Sequence, residues 1–383
     1  MPNTFLTVNE IAKRALPILQ SNLVMPALIN VDYSDTFTKK GDTIQVERPA
    51  VYVADEFGST INLQNINPRP ILVKMDKIAD VSVEVTAKQL ALDNVEFDRL
   101  VLQPAITAIA EKINADGLAL YKYVPGYAGT AGTTPDGLDD FANASKVLND
   151  NKVPMSNRKA VWNTSAQAKF TVLDAIVNAE KSGSNEALKE GSLGRIMGLD
   201  NFMSQAVKTH TAGGYTALAD VKATCDVDNN ATDATTGFEY SVFTMASTAG
   251  ASTAKLEAGD IFTCNGKQHV VLAQTAAAVA GDIAAVKVYP ALAADITAQD
   301  VTFPDVTARA HVANLAFHRD AFAFVTRPLE PTPGAESYTV KFGNLTLRVT
   351  MDYDINTKKT IMSIDTLYGY APLYPELATQ ILG

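Results

Sequence analysis

One stretch constrains the rest of this chain more than any other: TAKQLALDNVEFDRLVLQPAITAIAEKINADGLALYKYV, from Thr86 to Val124. Apolar or small residues recur at Phe97, Val101, Pro104, Ala105, Ala108, Ile109, Ile113, Gly117, Leu120 and Tyr121. Spacings of three and four place them on one face of a helix. Asp93 followed by Glu96 has the form of a capping box. A helix from Glu96 to Tyr123 would run roughly 42 Å at about 1.5 Å per residue. Pro104 has no N–H and collides with the preceding turn, which predicts a bend or two abutting helices. Asp98, Arg99, Gln103, Thr107, Glu111, Lys112, Asn114 and Asp116 make the opposite face polar. The expected element is a spine, with a sheet or neighbour on one side and solvent on the other.

A chain of 383 residues, 47% hydrophobic and 19% charged, can bury a core around such a spine. Its formal net charge of −10 lacks the basic stripe that reading DNA or RNA requires. Cys225 and Cys264 can pair in principle, but two buried free thiols in a reducing compartment is the preferred reading. The first residues, MPNTFLTVNEIAKRALPIL, lack the apolar core and cleavage site of a signal peptide. No run of eighteen apolar residues occurs, so no membrane span is expected.

Residues 1–34 read as an arm, in which Asn9 caps a short helix carrying Ile11, Ala15, Ile18 and Leu19 on one side. Such a segment must lean on the body or on another chain. Residues 35–85 read as a long hairpin. One limb runs from Asp42 to Pro49, the other from Ile71 to Val85, each alternating with period two. Between them lies DEFGSTINLQNINPR, Asp55 to Arg69, with Phe57, Ile61, Leu63 and Ile66 isolated among turn residues. A ribbon of this kind has no room for a core of its own. It is either a flexible surface loop or, the reading preferred, an arm that docks on a neighbouring subunit.

Mixed α/β sequence follows: a Gly/Thr-rich turn from Gly126, a helix with Leu138, Phe141 and Leu148, a short strand at Lys159–Trp162, a helix over Ser165–Val177, and a glycine-punctuated connection from Gly191 to Val207. From Ala206 to Ala308 there are 5 lysines, no arginine and 11 acidic residues, 5 − 11 = −6 of the chain's −10. Short β-like runs at Tyr240–Met245, Ile261–Cys264, Val270–Ala273 and Val286–Tyr289 predict a small, acidic, all-β inserted domain. Beyond Arg309, Phe322 and Phe324 point inward, and Tyr338–Phe342, Leu345–Tyr353 and Thr360–Leu367 form a meander.

Chemistry finds little support. His311 and His318 stand seven apart, not at the i, i+4 spacing of a helical zinc site, and no CxxC occurs. Asp226 to Thr232 resembles the start of a calcium loop but has Ala231 where that loop needs glycine and Gly237 where it needs glutamate, so a solvated acidic turn is the better reading. Phosphate-binding glycine loops and the GxSxG elbow are missing. Asp139 and Asp140 diverge on a helix, as Glu47 and Arg48 do on a strand. No catalytic or cofactor-binding residues are assigned, and a soluble hydrolase finds no constellation in its favour.

The order of segments, with Asn3-Thr-Phe-Leu-Thr7, Val81-Ser-Val-Glu-Val-Thr86, Gln89-Leu-Ala-Leu92, Leu102-Gln-Pro-Ala105, Ile113-Asn-Ala-Asp-Gly117, Met203-Ser-Gln, Thr209-His-Thr-Ala-Gly213, Asn314-Leu-Ala-Phe-His318, Leu367-Tyr-Gly369 and Pro375-Glu-Leu377, resembles the major capsid (coat) protein of tailed bacteriophages, in the short-tailed type with an inserted β-domain. The resemblance implies an α+β chain with the tailed-phage and herpesvirus major capsid fold. Its parts would be an N-terminal arm (1–34), an extended β-hairpin loop (35–85), the spine helix of a peripheral domain (86–125), an axial domain (126–205), an inserted β-domain (206–308) and C-terminal strands of both domains (309–383). It implies a structural, non-enzymatic subunit that forms hexamers and pentamers of an icosahedral shell around double-stranded DNA, without sequence-specific contacts to that DNA. Scaffolding and portal proteins would be its partners, host cytoplasm its place of assembly and the virion its destination. A cellular nanocompartment shell of the same fold, enclosing an enzyme, is the alternative. Subunit contacts are expected from Phe57, Ile61, Leu63, Ile66 and Arg69 of the ribbon and from Ile11 and Leu19 of the arm. Some tailed-phage shells are welded through a hairpin lysine; Asp55–Arg69 has none, so assembly is expected to be non-covalent.

Overall fold

The computed structural model describes residues 8–33, 43–48, 56, 70–85, 98–178, 190–248, 254–304, 309–342, 345–355 and 359–383. Helix α1 (Val8–Asn22) buries Val8, Ile11, Ala12, Ala15, Leu16 and Leu19 along one stripe. Asn9 falls inside this helix rather than capping it. A short helix, α2 (Met25–Leu28), turns the chain toward the body. Strands β1 (Thr43–Glu47) and β2 (Pro70–Lys74) pair antiparallel, with Pro70 at the outer end where no amide is needed. The expected second limb divides here. After Asp76 the chain leaves the ribbon, and β3 (Lys77–Val85) joins the central sheet instead.

The spine comprises three helical pieces among the described residues: a π-helical turn at Asp98–Leu102, α3 (Gln103–Leu118) and a 3-10 turn at Ala119–Tyr123. Pro104 sits in the first turn of α3, where a missing N–H leaves no bond broken, and the wider turn upstream gives its ring room. Asp93 and Glu96 lie outside the described residues. The polar face is not all solvated. Asn114 is 6% exposed; its Oδ1 accepts from the N–H groups of Val24 and Met25, and its Nδ2 donates to Asn22 O, so it holds the junction between α1 and α2. Asp116 accepts from Lys112 at 2.7 Å and from the Tyr368 hydroxyl at 2.8 Å.

Two sheets flank the spine. In the central sheet, β20 (Lys359–Pro372) pairs β19 (Leu345–Asp354) with its first half and β17 (Phe322–Arg327) with its second, while β3 runs along its other edge. β18 (Glu336–Phe342) completes the expected meander on β19. The other sheet has the order β4 (Gly126–Gly129), β21 (Ala378–Leu382), β16 (Ala310–His318), β5 (Arg158–Trp162), β7 (Leu199–Met203) and β6 (Arg195–Ile196), with β8 (Thr209–Thr211) on the free length of β16. Helix α4 (Leu138–Asp150) covers this sheet. The expected helix over Ser165–Val177 divides into α5 (Thr164–Phe170) and α6 (Asp174–Val177). Phe141, Trp162 and Phe170 meet with ring centroids 4.6–5.0 Å apart, forming the core beneath them.

The acidic insert closes on itself. Strands β9 (Val221–Cys225), β11 (Glu239–Ser247), β14 (Asp282–Tyr289), β13 (Lys267–Val271), β12 (Ile261–Cys264) and β15 (Ile296–Thr302) pair in that cyclic order, all antiparallel, and β15 returns to β9. The two-residue β10 (Ala231–Thr232) hangs on β11. A closed barrel leaves no edge to template aggregation. Cys225 and Cys264 are buried free thiols within it, and burial raises both pKa values.

Candidate assembly surface

The base of the ribbon rests on a cluster drawn from three parts of the chain. Ile71 and Val73 of β2, with Met75 just beyond it, share one buried cluster with Phe238 and Tyr289 of the insert, Val325 of β17 and Leu373 just past β20. The Leu72 N–H donates to Thr236 O at 3.1 Å. Gly237, at φ +80°, lies so close that a Cβ would stand 2.5 Å from Pro70 O. Where β2 passes over the central sheet, a Cβ on Gly369 would overlap the Lys74 carbonyl oxygen.

A polar cluster closes the same junction. Arg48 Nη2 donates to both carboxylate oxygens of Glu376, at 3.1 and 3.2 Å, and its guanidinium carbon lies 4.7 Å from the Tyr374 ring centroid. Tyr289, from the last residue of β14, donates its hydroxyl to the same carboxylate. Burial acts to lower the Arg48 pKa, but Glu376 and Tyr289 outweigh it and the value is raised. Burial, reinforced by Glu376, pushes the Tyr289 phenol well above its ordinary range and keeps it a donor.

Two further joints tie the barrel to the body. Tyr121 Oη lies 3.0 Å from His210 Nδ1, and His210 Nε2 lies 2.8 Å from Asp260 Oδ1. Asp260 also accepts from the N–H groups of Gly213 and Glu257. With Nε2–H donating to the carboxylate, Nδ1 is left to accept the tyrosine proton. Burial and Asp260 push Tyr121 up to about 12. A Tyr–His–Asp chain has the form of a proton relay, but His210 and Asp260 are buried and the chain links the spine to the barrel. The Gln268 amide makes a strand-like pair with Tyr127, accepting from its N–H at 3.0 Å and donating to its carbonyl at 2.9 Å.

Of the residues expected at subunit contacts, Ile11 and Leu19 are 0% and 1% exposed, packed in the chain's own core. The arm helix leans on its own body, which buries both side chains within the single chain. Phe57, Ile61, Leu63, Ile66 and Arg69 lie outside the described residues. Exposed large apolar side chains occur elsewhere, at the turn positions Met155, Val172 and Met197 and at Tyr353, Ile355 and Ile361 near the β19–β20 turn. His311 stands opposite His210 in register, with rings 5.3 Å apart, while His318 ends the same strand and accepts from Asp320 N–H. Among the described residues no three His, Cys, Asp or Glu gather as a metal site. Asp226 caps its own turn through Asp228 N–H. A cleft of about 560 Å³ beside α3 has, among the described residues, Glu111 as the one titratable residue in its lining.

Sequence reasoning missed the Arg48–Tyr289–Glu376 cluster. Arg48 and Glu376 are 328 residues apart, and no spacing rule links them.

Neither a protein-family model nor a curated protein sequence matches the chain. Solved structures do. One from Mycobacterium phage Che8 aligns with a TM-score of 0.52 at 13% identity, over 94% of this chain and 90% of that one. The capsid structure of the cyanophage P-SCSP1u aligns with a TM-score of 0.46 at 12% identity, over 93% and 86%. The virus-like particle from Pyrococcus furiosus aligns at 0.41 and 9%, over 97% and 98%.

Proposed function

We propose that this chain, whose fold is the α+β fold of tailed-phage major capsid proteins, is a structural subunit that assembles with copies of itself into a viral shell. The observation that carries the reading is the ribbon base: a two-stranded ladder anchored at one end to the body, with Phe57, Ile61, Leu63 and Ile66 spaced along the sequence between its strands. A two-stranded ribbon is marginal alone, whereas an identical neighbour offers it a surface repeated by symmetry. The exposed apolar side chains at Met155, Val172, Met197, Tyr353 and Ile355 supply further contacts of modest individual strength.

On this reading residues 1–34 are the arm, 35–85 the extended loop, 86–125 the spine, 126–205 the axial domain, 206–308 the insert and 309–383 the returning strands. Subunits form hexamers and pentamers of an icosahedral shell in the virion. The shell closes around double-stranded DNA without covalent cross-links, and scaffolding and portal proteins direct its closure. The chain performs no catalysis.

Purified protein examined by gel filtration and negative-stain microscopy is expected to give rings or uniform shells that boiling detergent disperses to single chains. Replacing Phe57, Ile61, Leu63 and Ile66 together by serine is expected to leave the subunit folded by circular dichroism and abolish particles. A wild-type chain that stays monomeric at every concentration overturns the proposal. Shells that enclose protein rather than nucleic acid would assign the chain to a nanocompartment instead.

A further inference from the structure

Three parts of the chain that are remote in sequence converge on one carboxylate. Glu376 takes hydrogen bonds from Arg48, which directly follows the first ribbon strand, and from Tyr289, which ends a barrel strand. Beneath this cluster the apolar contact is continuous: the Tyr289 ring lies 4.9 Å from Phe238, and both pack against Ile71 and Val73. The barrel also holds the ribbon by its backbone. The Leu72 N–H, directed away from β1, finds Thr236 O, and Gly237 permits the two backbones to touch. Among the described residues the ribbon base has five paired positions, from Thr43–Lys74 to Glu47–Pro70, and a two-stranded ladder is marginal without support from another element.

We propose that the inserted barrel acts as a clamp on the ribbon, with Arg48, Tyr289 and Glu376 as its latch, so that the seat of the barrel sets the angle at which the ribbon leaves the body. Glu376 serves both donors, so neutralising it releases the ribbon and the barrel together. The hydroxyl of Tyr289 makes the connection specific to the barrel, since Arg48 alone would tie the ribbon only to the C-terminal segment. This gives the insert a task within its own chain: it orients the element that a neighbouring copy receives. In that last step the inference rests on the shell-subunit reading; the clamp itself lies within a single chain and is measurable there.

The test is hydrogen exchange on the unassembled full-length chain, comparing wild type with Glu376→Gln, Tyr289→Phe, Gly237→Ala and, as a control, Lys222→Ala, which breaks an exposed ion pair in the barrel wall. In the first three variants, amides of Ile44–Glu47 and Ile71–Met75 are expected to exchange about tenfold faster or more, as a locally opened unit does. Those of β5 and β9 keep wild-type rates. Gly237→Ala acts from the barrel side with all three latch residues intact, so it separates the clamp from a loss of charge. Wild-type rates at the ribbon base in both Glu376→Gln and Tyr289→Phe overturn the proposal. So does a uniform rise across the chain, or an equal effect from Lys222→Ala. Assembly is read separately by negative stain: a wild-type chain that never forms particles overturns the shell reading, whatever the exchange rates show.

Discussion

His269 carries a cost that pH can reveal. It is 1% exposed, its ring stacked 5.5 Å from Phe262 inside the barrel, and burial lowers its pKa to about 4. An unfolded histidine titrates near pH 6.5, so between that value and about 4 the unfolded chain binds a proton that the folded one refuses. Stability is therefore complete above about pH 6.5 and falls as pH drops toward 4, by roughly 3 kcal/mol over the whole window. Urea midpoints at pH 7, 5.5 and 4.5 are expected to decline accordingly, and His269→Phe to flatten the decline. Asn114 makes a different point. Helical periodicity placed it on the solvent side of the spine, yet it is buried and satisfies the Val24 and Met25 amides. Asn114→Leu leaves those donors unpaired and is expected to cost about 2–4 kcal/mol, read as a lower denaturant midpoint with an unchanged slope. Period alone cannot distinguish an amide facing water from one facing the end of another helix.

Among the elements, those with a half-buried face were legible. Ile44 and Val46 alternate with polar neighbours, as do Leu347 and Val349, and β1 and β19 stand where that alternation places them. One strand hidden on both sides was not. The run ATQIL, β21, is buried at every position, including Thr379 and Gln380, so it shows no alternation to read. Gln380 instead donates to the carbonyls of Tyr121 and Val124 at the end of the spine. The second hairpin limb was read as one strand because its period-two pattern runs on to Val85. The break at Met75–Asp76 lies where β2 passes over β20, at Gly369. Gly369→Ala is expected to force these strands apart and destabilise the chain by about 1–3 kcal/mol, as overpacking does, which chemical denaturation would measure.

For the whole molecule, the question is whether barrel and body act as one. Polar joints and a shared apolar cluster connect them, among them Arg48–Tyr289–Glu376, Tyr121–His210–Asp260 and Tyr127–Gln268, with Phe238 and Ile71 in the cluster. Trp162, the single tryptophan, lies in the core under α4 and reports on the body alone. Its fluorescence and far-ultraviolet circular dichroism are expected to give coincident denaturation midpoints. A separate second transition in the dichroism would show a barrel that folds independently. The sequence by itself recorded the apolar stripes of the arm and spine helices, the alternation of the half-buried strands, the acidic composition of the insert and the order of parts that the resemblance rests on. These properties are recorded locally, in the spacing of apolar side chains and in composition. Only the tertiary structure decided that the insert closes into a barrel, that the arm helix spends Ile11 and Leu19 on its own body, and that ribbon, barrel and C-terminal segment meet on Glu376. Strand edges and buried polar groups find their partners across hundreds of residues, and that choice is made by packing and hydrogen-bond satisfaction over the whole fold, not by any spacing along the chain.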